Sequence, residues 1–316
     1  MREPTVPLPT MKLGRLIAVA VALALPAVVL APAQPAAADD PPFVGWTAAM
    51  PPLAFSFDPS SSNDCEAGRV TCVRQVIRTM RARFNPLAEQ CDHDAVFSLA
   101  YLRTTEEYLR STLTPGFFDK PALVNHEDVA FSRMYLDAYD DWAEDRVRMV
   151  PPAWRVAFEA ADSRRVSGSG NLLLGMNAHV NRDLPFVLAA TGLVARDGSS
   201  RKRDHDQINV MLNRVVEPLV TEAAARFDPG IAFVPTPYGV GYTGLMQMLV
   251  AWRETAWRQA ERLVAAPDAA ARNRVARQIE TYAETNAQAI VTATAYQPPV
   301  TTTAARDAYC AINGNP

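Results

Sequence analysis

The stretch from Leu172 to Ala190, LLLGMNAHVNRDLPFVLAA, is apolar on almost every side yet carries Asn177, His179, Asn181 and Asp183. A helix that is hydrophobic all round belongs in a core. An unpaired polar group there costs a few kcal/mol, and an ionised one more. The fold must therefore supply partners for these four side chains, either as a polar network or as a metal ion. Pro185 cannot donate to the carbonyl of Asn181, and its ring crowds that group, so the helix is expected to kink where the polar residues lie.

The N-terminus reads as a processing signal. Met11 to Arg15 gives a positive region, Leu16 to Leu30 an apolar one, and Ala36 to Ala38 a small-residue cleavage site, so residues 1–38 are expected to be removed. Residues 1–10 read as an upstream extension from a misplaced start, since Met11 begins a complete signal by itself. No later apolar run is long enough to span a bilayer. The expected product is secreted, either extracellular or in the cell envelope. Removing the leader takes the formal charge from −3 to −5, too mild a balance to argue for nucleic acid or an anionic membrane surface as partner.

Four cysteines in an exported chain favour two disulfides, with three pairings open. Cys65 and Cys72 lie close together in a Ser-, Asp- and Gly-containing segment, while Cys91 and Cys310 sit far apart in the chain. The favoured pairing is a local Cys65–Cys72 loop and a Cys91–Cys310 staple that holds the tail.

Hydrophobic periodicity is helical nearly throughout, which predicts an all-α fold: one large multi-helix domain over 72–316, disulfide-stapled, in orthogonal or bundle-like packing, after an extended lead-in over 39–71. Helices are expected at Cys72 to Asn85, Asp92 to Leu113, Glu127 to Met149, from Pro152, through the apolar stretch, from Asp204 to Phe227, at Leu245 to Ala265 and at Ala269 to Thr292. The segment Asp228 to Gly244 reads as a loop or short hairpin.

Each of the four histidines, His93, His126, His179 and His205, has a carboxylate close in sequence: Asp94, Asp128, Asp183 and, for His205, Asp204 with Asp206. About one residue in nine is acidic, so most of that proximity is chance. His179 and Asp183 are different: residues i and i+4 share a helix face and can point at one ion. Asn177 and Asn181 form a second such pair. The alternative is that His179 and Asp183 hydrogen-bond to each other while the asparagines bridge neighbouring helices. His205 can equally be a helix-start residue between two capping aspartates, and His126 likewise begins a helix.

The motif from Gly175 to Pro185, GMNAHVNRDLP, together with Asp206 to Asn209, resembles a family of secreted, largely actinobacterial helical proteins classed as a domain of unknown function. The resemblance spans most of the chain after the leader and implies that His179, Asn181 and Asp183 matter without saying what they do. A second likeness, carried only by His179 and Asp183, is to zinc-dependent phospholipase C and the P1-type nucleases. These are exported helical enzymes that ligate zinc through His-x-x-x-Asp pairs. Their trinuclear site needs more histidines than this chain has, so the likeness implies at most one or two ions.

Two functions fit the residues. The first is a hydrolase of an ester or phosphoester that uses a divalent metal, zinc favoured, held by His179 and Asp183 with His205, His126 or His93 completing the sphere. Asp206, Asp128 or Asp94 would orient a ligand or take a proton, and Asn177 and Asn181 would stand behind. The second is a non-enzymatic exported protein, either structural or binding a small or lipid-like molecule in the same polar pocket.

Overall fold

The computed structural model describes residues 57–232 and 240–314. The expected leader, lead-in residues 39–56 and the middle of the expected Asp228 to Gly244 loop lie outside them. Among the described residues the fold is all-α, with no β-strand.

Helices α1 (Val70–Glu89), α2 (Ala95–Thr112) and α3 (Pro121–Ala143) are followed by α4 (Pro152–Asp162) and α5 (Gly168–Asn177). A single π-helical turn, Ala178–Asp183, joins α5 to α6 (Leu184–Thr191). Then come α7 (Lys202–Arg226), α8 (Val240–Ala265), α9 (Ala269–Thr294) and α10 (Thr303–Asn313).

The apolar stretch is the axis of the fold. Leu172, Leu174, Ala178, Leu184, Val187 and Leu188 are each at most 2% exposed, and each large one contributes roughly 1.5–3 kcal/mol by its burial. The π turn packs against α3, α4, α8 and α9. Where the sequence predicted a kink, the chain widens instead. A π turn pairs each N–H with a carbonyl five residues back, so the missing donor of Pro185 is absorbed by a register change rather than by a break.

Several boundaries differ from expectation: α3 ends at Ala143 and not at Met149, α8 begins at Val240 inside the expected loop, and two further differences are more informative. Helix α3 starts at Pro121, six residues before the predicted Glu127, with proline at its first position. The Asp204 carboxylate of α7 holds the turn before it by accepting from the backbone N–H groups of Asp119 and Lys120 at 2.7 and 3.0 Å. Helix α10 was not expected at all; Thr302 caps it by accepting from Ala305 N–H.

Both favoured disulfides, Cys65–Cys72 and Cys91–Cys310, are formed. The second ties α10 to the turn after α1, where buried Arg306 also donates to the carbonyls of Cys91 and Asp92. The two bridges close loops of very different length, with sequence separations of 219 and 7. In the chain-entropy view the longer loop stabilises more. A Cys91→Ala/Cys310→Ala double variant should lose about 2–5 kcal/mol of unfolding free energy in urea titrations, and Cys65→Ala/Cys72→Ala should lose less. Equal losses, or the reverse order, would contradict this account of the staple.

Candidate functional site

His179 and Asp183 lie on the π turn, 4% and 0% exposed. They face each other: His179 Nδ1 is 3.2 Å from Asp183 Oδ2. The same Oδ2 accepts from Trp154 Nε1 at 2.9 Å, and Oδ1 accepts from Arg182 Nη1 at 2.9 Å. Arg182 continues to Glu280 on α9, with Nε to Oε1 at 2.9 Å. With donors already on both oxygens, Asp183 acts as acceptor toward the imidazole. The Nδ1 atom therefore carries the ring proton and Nε2 is left as an acceptor. Burial pulls the His179 pKa below its usual value and outweighs the opposing pull of Asp183, so the ring is neutral.

Nε2 of His179 is enclosed and has no hydrogen-bond partner. His179 lines a cavity of about 130 Å³ between α2, α3, the π turn, α7 and α8. The walls are mostly apolar, from residues such as Leu172, Met176, Leu212 and Leu249. Phe131 stacks flat on the His179 ring at 3.5 Å between centroids, and Tyr101 meets it edge-on at 4.3 Å. Gly175 makes this arrangement fit, because a Cβ there would come within 2.2 Å of the Phe97 ring, itself on the cavity wall.

Asp128 is the second polar group on the wall. Its Oδ2 is enclosed and unpartnered. Desolvation, with Glu127 adding to it, pushes its carboxyl up to about 8. Near neutral pH it is a protonated acid and so a donor, in contrast to the His179 acceptor.

Asp183 is not free to share an ion with His179, because it is occupied by the imidazole, the indole and a guanidinium. The other histidines stand elsewhere. His205 is wedged between α7 and α8, with Nε2 3.2 Å from the Arg253 carbonyl and the ring against Trp257. His126 Nδ1 donates to the Cys65 carbonyl at 2.8 Å. His93 Nε2 is 3.2 Å from Asp307 on α10. Asp206 pairs with Lys202 at the surface, and Asp94 lies beside His93 at a separate small void. Asn181 donates to Asn177, which donates to the Ala283 carbonyl, so the asparagines bridge to α9. The expected metal sphere is therefore not assembled: among the described residues no three His, Cys, Asp or Glu side chains are grouped to hold an ion. Long-range packing separates the histidines, and their spacing in sequence carries no information about it.

The sequence reading missed Arg253, Trp154, Phe131 and Tyr101. Only Arg253 left a signal, as a charge four residues after Leu249 and eight after Leu245 on the buried face of α8.

The Asp128 shift has a measurable sign. A carboxyl raised in the folded protein keeps its proton where the unfolded chain has lost it. The folded state then holds more protons between about pH 4 and 8, and stability falls as pH rises through that window. Histidines 93, 179 and 205, all lowered, act in the opposite sense, costing stability below about pH 6.5. Asp128→Asn keeps the shape and removes only the alkaline loss. Between pH 5 and pH 9 the unfolding free energy from urea titrations should therefore fall by a few kcal/mol less in the variant than in the wild type; parallel declines would mean that Asp128 is not held protonated.

No curated protein and no solved structure matches this chain. Residues 73–293, which include the π turn, the cavity walls and α9, match the profile of one described family. The chain belongs to that family, a family of unknown function (DUF5995).

Proposed function

We propose that this is an exported protein that takes a small, mainly apolar molecule into its helical core and hydrogen-bonds the molecule's polar end through His179 and Asp128. One observation carries the reading. Two enclosed polar atoms, His179 Nε2 and Asp128 Oδ2, lack partners at the wall of an otherwise apolar cavity. Buried polar groups are nearly always satisfied, and those that are not call for an explanation. A ligand with an acceptor for the Asp128 acid and a donor for the imidazole would satisfy both. In size the cavity is close to the engineered void of about 150 Å³ that takes benzene, so the body of the ligand has roughly six to eight carbons. Export rests on the N-terminal signal pattern, with which the two disulfides agree.

A hydrolase reading is favoured by one further feature. Asp183 holds Nδ1 and leaves Nε2 facing the cavity, which is how an imidazole is set to draw a proton from water or a hydroxyl group. On this reading the bound molecule is a small ester and Asp128 donates to its carbonyl.

Filling the cavity tests the binding reading. Ala100 lines it and is 5% exposed. Ala100→Leu should abolish calorimetric binding of 1-hexanol or benzyl alcohol while leaving a cooperative thermal transition. The wild type should bind with a dissociation constant on the order of 0.1–1 mM, as expected for ligands of seven or eight heavy atoms. No binding to the wild type, or binding untouched by the filled cavity, would remove the proposal. Turnover of a hexanoate ester that is lost in His179→Gln would single out the hydrolase form.

A further inference from the structure

Arg253 of α8 lies on the same cavity wall and is 5% exposed. Its Nε donates to Asn209 Oδ1 at 2.8 Å, and its Nη2 donates to the His205 carbonyl at 2.7 Å and lies 3.3 Å from His205 Nδ1. These bonds fix the plane of the guanidinium and tie α8 to α7. Among the described residues no hydrogen bond from Nη1 adds to these. Among the described residues Arg253 forms no ion pair, although the other buried arginines do: Arg182 with Asp183 and Glu280, Arg201 with Glu127, Arg306 with Asp307. Glu127 and Asp206 act on Arg253 only through space, and each already has its own partner, in Arg201 and Lys202. Desolvation is strong enough to bring this guanidinium down to about 10.

A buried cation with no anion is destabilising by several kcal/mol. A structural cross-link between α7 and α8 needs only hydrogen-bond donors, and a neutral amide would serve. The fixed charge and the free edge of the fork suit a planar anion, which a guanidinium grips better than any other side chain.

We propose that the molecule held in the cavity carries a carboxylate, bound by Arg253, so that the natural ligand is a small aryl or acyl carboxylate and not a neutral compound. This rests on the cavity being a ligand site. The neutral acid form of Asp128 fits the proposal, because it adds a donor for the carboxylate where an ionised side chain would repel it; the donor that His179 Nε2 calls for then comes from a separate hydroxyl or N–H group of the ligand.

Matched acid and alcohol pairs decide the question. Full-length protein after leader removal is titrated at neutral pH with hexanoate against 1-hexanol and benzoate against benzyl alcohol. The acids should bind about ten- to a hundredfold more tightly, the range set by a charge-assisted hydrogen bond. Arg253→Gln should abolish that preference, with a cooperative thermal melt showing that the variant is folded. Should that variant not fold, Arg253→Lys keeps the charge, loses the fork, and should retain only part of the preference. Alcohols binding as well as acids, or a preference that survives Arg253→Gln, would overturn the carboxylate inference and leave the cavity reading standing. No binding of either class to the wild type would overturn both.

Discussion

Asp183 is the point on which this fold turns. It is fully buried and receives the Trp154 indole from α4, the Arg182 guanidinium and the His179 imidazole. An ionised carboxylate in a core is tolerable only when its lone pairs are filled by good donors. Its neighbour Arg182 pairs in turn with Glu280 on α9. The π turn, α4 and α9, remote in sequence, are thus tied together through this carboxylate and Arg182. The apolar residues around it supply most of the free energy, while the polar hub selects one arrangement of the helices.

The same hub prepares the cavity. Fixing Nδ1 fixes the tautomer and the plane of the ring, and the stacked Phe131 holds that plane from the other side. The π turn puts His179 on the cavity wall, with Asp183 behind it, without a break before Pro185. Such single-turn bulges occur frequently at functional sites, where they redirect a side chain at the expense of a regular helix. His179, Asp128 and Arg253 then present an acceptor, a donor and a cation to one apolar space. Nothing about packing alone calls for that combination.

Much of the architecture was legible in the sequence because it depends on local periodicity. The all-α class, the central apolar helix and both disulfides follow from spacing and composition. The anchoring of the turn before α3 was not legible, since the group that holds it is a carboxylate on α7. The site divides in the same way. His179, Asp183, Asn177 and Asn181 stood out as polar residues in an apolar run, and they are close together. His93, His126 and His205 were attractive only as residue types, and each serves a separate helix contact. Arg253 was readable in principle as a charge on a buried face. Its meaning depends on α3 and the π turn reaching the same cavity, which no pattern within α8 can show.

The central claim is that His179 is a neutral imidazole protonated on Nδ1 by its partnership with Asp183, with Nε2 open to the cavity. Nitrogen-15 chemical shifts and long-range proton couplings of the histidine rings, recorded near neutral pH and on acidification, test it directly. The account predicts a protonated Nδ1 and an unprotonated Nε2 for His179, with titration shifted below the usual histidine value. A proton on Nε2, or a charged imidazolium at neutral pH, would contradict it.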